Sequence, residues 1–327
     1  MSLRLEAGVE RWPIAGAFTI SRGSKTEASV VVAELSDGAR AGRGEAVPYP
    51  RYGESPEGVL AEIRAVAPEI AAGLDRAGLQ SRLRPGAARN ALDCAFWDLE
   101  AKRTGTRAHV LAGRARLDPV KTAYTVSLGP AEAMAEAARA NAGRPLLKLK
   151  IGGPDDLARV EAVRAAAPRA RLVLDANEAL GFDDLRRLAP EFARLKVMLI
   201  EQPLPAAEDE ALEGYDSPVP LCADESIHTR AELSACARRY ACVNVKLDKA
   251  GGLTEALALK AAAEARGLEV MAGCMVATSL AVAPALIVAQ GAAVVDLDGP
   301  LLLARDREPG LSYLGSLIEP PAAALWG

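Results

Sequence analysis

From about residue 122 onward, short apolar runs alternate with longer amphipathic stretches. The apolar runs cover residues 123–126, 146–151, 172–175, 197–201, 221–224, 243–246, 270–274 and 294–297. Each has strand length and is rich in Val, Leu or Ile, whereas the stretches between them carry helical periodicity. Successive runs start roughly 20 to 30 residues apart, the length of one strand–helix unit. That repeat predicts an α/β fold with a parallel sheet. Eight units suit a closed (β/α) barrel, with an open doubly wound sheet as the alternative. No Gly-x-Gly-x-x-Gly follows the first run, which weighs against a dinucleotide-binding open sheet.

Upstream the pattern is β then α. Residues 3–12 and 29–35 read as strands, joined by a polar loop over residues 21–26. A second loop, residues 47–55, is dense in Pro and Tyr. Two helices follow. The first, residues 56–74, opens with Ser55 as N-cap and Pro56 at the first helical position. The second, residues 87–103, places Ala91, Ala95, Phe96 and Leu99 at helical spacing and ends at Gly105.

Composition narrows the picture modestly. With 327 residues, half of them hydrophobic, the chain can build one large domain and a smaller one. A net charge of −4 without blocks of like charge argues against nucleic acid or a membrane as partner. The five cysteines (Cys94, Cys222, Cys236, Cys242, Cys274) lack zinc or redox spacing, as buried reduced thiols do. No apolar segment has the length of a signal core or a bilayer span, so a cytoplasmic protein is expected.

The candidate chemistry sits at the C-terminal ends of the barrel runs, where such barrels carry their active sites. Lys148 and Lys150 lie two apart in an apolar run and therefore share a face. Asp175, Glu201 and Asp224 end the next three runs, and Lys246 ends the one after. Each carboxylate alone could be a helix cap. Together, three hard oxygen donors suit an octahedral divalent cation, most plausibly Mg²⁺. Zinc is disfavoured, because His228 is the only imidazole nearby. Lys150 and Lys246 fall on opposite sides of an eight-stranded barrel. A basic lysine needs a depressed pKa, which burial and neighbouring positive charge favour. A cation and two facing lysines suit α-proton removal next to a carboxylate, through an enediolate. Two bases on opposite faces favour racemisation or epimerisation.

The order Lys-x-Lys, Asp, Glu, Asp, Lys after an α+β N-terminal part resembles the enolase superfamily, in its muconate-lactonising-type branch. Sites of that superfamily use a lysine or histidine base with magnesium. The resemblance implies a modified (β/α)7β TIM-type barrel over residues 114–304. It also implies an α+β capping domain over residues 1–113, carrying specificity loops and joined by residues 305–327. Asp296-Leu297-Asp298-Gly299-Pro300 is similar to the Asp-x-Asp-Gly-Pro signature of dipeptide epimerases, the L-Ala-D/L-Glu epimerases in particular.

That family implies one Mg²⁺ per subunit on Asp175, Glu201 and Asp224, with Lys150 and Lys246 exchanging the α-proton. Lys148 would bind the substrate carboxylate and lower the pKa of Lys150. Asp296 and Asp298 would hold the dipeptide ammonium, and Arg22 would pair with the acidic side chain. Tyr52 would form a pocket wall, Thr125 a hydrogen bond, and the backbone at Cys274 a contact with the dipeptide. Cys274 has no histidine placed to make it a nucleophile. The implied function is epimerisation of the C-terminal residue of L-Ala-L-Glu or L-Ala-D-Glu, serving the recycling of cell-wall peptides. The alternatives are an N-acylamino acid racemase, an o-succinylbenzoate synthase, a cycloisomerase, or a non-catalytic metal and peptide binder. Homo-oligomerisation stays open.

Overall fold

The computed structural model describes residues 2–153 and 155–327. The chain begins with an antiparallel hairpin, β1 (Arg4–Ile20) and β2 (Gly23–Ser36), extended by β3 (Ala41–Ala46). Pairing runs from Arg4↔Ser36 to Ile20↔Gly23, with a slip between Pro13 and Phe18. The polar loop expected over residues 21–26 is therefore only a tight turn at Ser21 and Arg22. Near the tip the side chains are mostly exposed on both faces, so no apolar alternation marks the strand there.

Four helices follow, α1 (Pro56–Ala65), α2 (Ala67–Ala71), α3 (Arg76–Arg82) and α4 (Ala87–Thr104); α1, α2 and α4 pack on this sheet and α3 packs on α4. Ser55 caps α1 by accepting from the Gly58 amide at 3.1 Å. The single helix expected over residues 56–74 is in fact α1 and α2. Pro68 cannot donate to a continuing helix, so the chain restarts at Ala67 with Pro68 in the new first turn. α4 ends where expected, at Gly105 in the left-handed conformation. It lies flat on β3 because Gly42 and Gly44 have no side chains. A Cβ on Gly44 would fall 2.1 Å from the Ala91 carbonyl oxygen.

β4 (Val120–Lys121) leads into the barrel, which comprises β5 (Tyr124–Val126), β6 (Leu146–Lys150), β7 (Arg171–Asp175), β8 (Val197–Glu201), β9 (Leu221–Ala223), β10 (Cys242–Lys246), β11 (Glu269–Gly273) and β12 (Val294–Asp296). The eight strands pair in parallel and in sequence order. The first and last are joined by Ala123 N donating to Val295 O at 2.8 Å and Leu297 N to Thr122 Oγ1 at 2.8 Å. The sheet is thus a nearly closed barrel and not an open one. β13 (Tyr313–Leu314) and β14 (Leu317–Ile318) pair back onto β4. The last residues reach α4, where Trp326 Nε1 donates to Cys94 O at 3.1 Å and Gly327 N to Asp98 Oδ1 at 2.8 Å. No helix among the described residues is long and apolar enough to cross a membrane.

The period-two geometry of strands explains the barrel interior. Ala123, Leu146, Val173, Leu199, Cys222, Cys242, Met271 and Val294 form one buried apolar cluster, with one residue from or beside each strand. Two positions further along stand Thr125, Lys148, Asp175, Glu201, Asp224, Asn244, Gly273 and Asp296. An apolar plug therefore carries a polar layer directly above it. Outward-facing residues such as Leu147, Leu174, Ile200 and Val245 pack against the surrounding helices.

Candidate active site

The polar layer is buried and densely charged. Lys150, Asp175 and Glu201 are lateral partners across β6, β7 and β8. Lys150 Nζ donates to Asp175 Oδ2 at 2.5 Å. Lys148 Nζ lies 2.9 Å from Asp175 Oδ2, 2.6 Å from Glu201 Oε2 and 2.7 Å from Asp296 Oδ2. On the other side, Lys246 Nζ lies 2.6 Å from Asp224 Oδ2 and 3.9 Å from Glu201 Oε1. β6 and β10 are four strands apart in an eight-stranded barrel, so Lys150 and Lys246 flank the axis from opposite sides. Each rests on an outer carboxylate of the trio, with Glu201 between them.

Three groups hold the trio from behind. Asn244 Nδ2 donates to Glu201 Oε1 at 2.6 Å. Gly273 makes room for it, since a Cβ there would sit 2.5 Å from Asn244 Oδ1. Lys249 Nζ lies 2.6 Å from Asp224 Oδ1 and also donates to the Asp224 and Asn244 carbonyls. Gln202 Oε1 accepts from the amides of Asp224 (2.8 Å) and Ser226 (3.1 Å). Asn177, Glu178 and Gln202, just past β7 and β8, have positive φ without being glycine. Such backbone persists where the surroundings fix it, commonly at functional sites.

Charge crowding sets the protonation states. Burial disfavours the Asp175 and Asp224 anions, but the lysines outweigh it and hold both well below the usual carboxylate range. Glu201 is pushed up to about 8 by burial and by Asp175. Burial opposes charge on Lys148 and Lys246, yet the surrounding carboxylates raise both above the ordinary lysine value. The depression expected from neighbouring positive charge would need a cation held by the trio, since Asp224 and Glu201 otherwise raise Lys246.

The donor set fits a hard divalent cation. Three buried carboxylates from neighbouring strands are drawn together by two ammonium groups. Glu201 Oε2 and Asp224 Oδ1 accept no well-aligned hydrogen bond despite nearby ammonium groups. Among the described residues, no three acidic, histidine or cysteine side chains already close on a single cation position. The carboxylates turn to lysine instead, and a cation would take over that role with the same oxygens.

The layer forms the floor of a cavity of about 700 Å³ between barrel and cap. Among the described residues Asp296 Oδ1 is buried without a hydrogen-bond partner, and Asp298 Oδ2 accepts from Thr125 N at 2.6 Å. Burial and Asp296 push Asp298 up to about 7. Cys274 lines the same wall, and burial raises its thiol far above the ordinary range, which argues against a thiolate nucleophile. The hairpin tip forms the roof. Arg22 donates to Asn177 O (2.6 Å), Glu178 Oε2 (3.1 Å), Tyr49 OH (3.0 Å) and Glu225 Oε1 (2.7 Å). Arg51 forms a fork with Glu178 at 2.9 Å on both arms. The Tyr52 ring packs edge-on against His228, with centroids 4.4 Å apart.

All twelve residues singled out in the sequence line or floor this one cavity, or lie in the buried layer beneath it. Phe18, Lys25, Tyr49, Asn244 and Lys249 join them without having been marked. Asn244 alone carried a usable signal, standing two positions before Lys246 on the same face.

Residues 131–302 match the enolase C-terminal domain-like family, and residues 5–113 match the mandelate racemase / muconate lactonizing enzyme N-terminal domain. The chain is 48% identical over 306 residues to an L-Ala-D/L-Glu epimerase of Escherichia coli (strain K12), covering 93% of this chain and 95% of that protein. It is 42% identical over 300 residues to an N-acetyl-D-glutamate racemase of a Pseudoalteromonas species, covering 91% and 95%. A crystal structure of an enolase family member from Agrobacterium tumefaciens, with homology to dipeptide epimerases and with sodium and L-Ala-L-Glu bound, matches with TM-score 0.98. Identity there is 55%, covering 99% of this chain and 100% of that one.

Proposed function

We propose that this chain, which belongs to the mandelate racemase / muconate lactonizing enzyme family of the enolase superfamily, is a magnesium-dependent dipeptide epimerase interconverting L-Ala-L-Glu and L-Ala-D-Glu. One observation carries the reading: two lysines on opposite sides of a barrel, each seated on an outer member of one carboxylate trio. Bound on Asp175, Glu201 and Asp224, magnesium supplies Lewis-acid stabilisation of charge on the substrate carboxylate. Lys148 adds a second positive group beside that carboxylate. Lys150, as the neutral amine, takes the α-proton from one face, and the Lys246 ammonium delivers a proton to the other. The reverse reaction exchanges the two roles. Asp296 and Asp298 accept the ammonium of the alanyl residue, and Thr125 holds Asp298 in place. Tyr52, Arg22 and the backbone at Cys274 enclose the dipeptide. The activity fits the recycling of cell-wall peptides in the cytoplasm.

Incubation with L-Ala-L-Glu in D₂O, followed by proton NMR, tests the reading. Deuterium should enter the glutamyl α-position as L-Ala-D-Glu accumulates. Binding of the peptide without exchange would rule out the enzyme. The relative acting on N-acetyl-D-glutamate favours a second reading, a racemase of N-acylated amino acids. Its substrate lacks an ammonium for the unpartnered Asp296 Oδ1 to accept. Turnover of N-acetylglutamate at or above the rate for L-Ala-L-Glu would decide for that alternative.

A further inference from the structure

β11 ends at Gly273 in the polar layer, and Thr278 caps the helix Ser279–Ala289. The run between them forms one wall of the cavity, which Cys274, Met275 and Val276 line. Among the described residues, no hydrogen bond fixes the peptide groups of Met275, Val276 and Ala277. Side-chain packing and the two ends of the run must therefore set its course. One end is β11. The other is held from outside the barrel. Glu45, buried on β3, accepts from Thr278 N at 2.9 Å and from Thr278 Oγ1 at 2.5 Å. Arg307 completes the junction. Its Nε donates to Glu45 Oε2 (3.0 Å) and Thr278 Oγ1 (2.7 Å), and its Nη2 to Glu45 Oε2 (2.8 Å) and Glu10 Oε2 (2.6 Å). Thr278 Oγ1 also accepts from Leu280 N at 3.2 Å. The single hydroxyl proton of Thr278 goes to Glu45, which leaves its lone pairs for Arg307 and the helix cap. A buried carboxylate gripped by a guanidinium and a main-chain N–H fixes direction as well as distance.

Neither Glu45 nor Arg307 is among the described residues that line the cavity. Their effect on it passes through the run. Resting on the epimerase reading, this run encloses the dipeptide. Gly299, next to Asp298, packs directly on it, since a Cβ there would fall 2.6 Å from Met275 O and 3.2 Å from Ala277 N. A shift of the run thus reaches both the wall and the acids that accept the ammonium. The carboxylate trio and the two facing lysines belong to β6 through β10 and the turn after β9, away from this run. We propose that Glu45 and Arg307 are positioning residues for substrate binding: they pin the run 274–277 against the dipeptide and leave the cation site and the proton-exchanging lysines as they are.

The test separates KM from kcat and from metal affinity. Glu45→Gln turns a second set of N–H donors towards Arg307, and Arg307→Met removes the fork. In each variant KM for L-Ala-L-Glu should rise roughly tenfold or more, while kcat stays within about threefold, as loss of uniform binding entails. The Mg²⁺ dissociation constant, measured by calorimetry without substrate, should stay within about twofold. Arg307→Lys keeps the charge without the fork and should recover part of the KM. Arg164→Met serves as the control. Arg164 donates to Leu195 O (2.9 Å) and Ala170 O (2.7 Å), before the strands β8 and β7 and so at the opposite end of the barrel. It should lower the melting temperature and leave KM unmoved. An unchanged KM in Glu45→Gln and Arg307→Met, or an equal rise in Arg164→Met, overturns the assignment. Should both junction variants fail to fold, Glu45→Asp decides: its shorter side chain must draw Thr278 away, so a raised KM is expected and an unchanged one overturns it. Wild-type protein that epimerises L-Ala-L-Glu beside variants of unmoved KM refutes the role of the pair alone. Failure of the wild type to exchange any dipeptide refutes both.

Discussion

Lys150 and Lys246 have the same chemistry and opposite positions, so a substitution at either removes access to one face of the substrate only. Lys150 faces Asp175 and Lys246 faces Asp224, so neither leans on the other for its placement. Lys150→Ala and Lys246→Ala should each lower epimerisation by roughly 10³-fold, a typical loss for a positioned acid–base group. Each variant should still wash deuterium into one stereoisomer. Proton NMR in D₂O, run separately on L-Ala-L-Glu and L-Ala-D-Glu, reads this directly, and the two variants should retain opposite isomers. Retention of the same isomer by both would mean that the lysines work from one side.

At the scale of elements, the contact between α4 and β3 depends on two missing side chains. A Cβ on Gly42 would sit 2.2 Å from Leu99 N, and one on Gly44 would sit 2.1 Å from Ala91 O. These are backbone atoms of a helix and cannot rotate aside. Gly42→Ala or Gly44→Ala should cost about 3 kcal/mol or more in urea unfolding, the upper end of overpacking, because a whole helix must lift. Ala at Gly38, which has open space, should cost less, coming only from its positive φ. Neither glycine stands out in the sequence, because close approach is a property of two distant segments. The barrel was legible for the converse reason. Its strands are local apolar runs, and period two put every acid and lysine of the layer above one apolar plug, so Asp175, Glu201 and Lys246 could be marked from the strand ends alone. The stretch 56–74 divides because Pro68 opens a new first turn, a start signal that the continuous apolar spacing around it masks. Lys25 went unmarked because an exposed polar hairpin tip carries no periodicity, and only the barrel beneath shows which of its side chains point into the cavity.

For the whole molecule, what joins cap to barrel is a seam of buried polar groups. Arg89 donates to Gly251 O (3.0 Å) and Ala250 O (2.7 Å), and Trp97 Nε1 to Thr254 Oγ1 (2.9 Å). Asp93 accepts from Thr254 N at 2.9 Å, and Asp248 accepts from Val47 N at 2.8 Å and Asn90 Nδ2 at 2.9 Å. Among the described residues, neither acid has a direct cation partner. Burial pushes Asp93 up to about 6, and burial with nearby Glu54 and Glu45 pushes Asp248 up to about 7. A carboxyl whose pKa is higher folded than unfolded binds its proton more tightly in the native state. Its contribution is therefore present below the unfolded value near 4 and is lost as pH rises towards 7. The cap–barrel seam should weaken across that window. Asp248→Asn keeps the acceptor oxygen and cannot ionise, so it should match the parent near pH 4 and exceed it by roughly 4 kcal/mol at pH 8. Thermal unfolding at both pH values measures the gap. A gap that stays constant from pH 4 to pH 8 would show that Asp248 is already ionised in the folded protein at acid pH, and that the seam tolerates its charge.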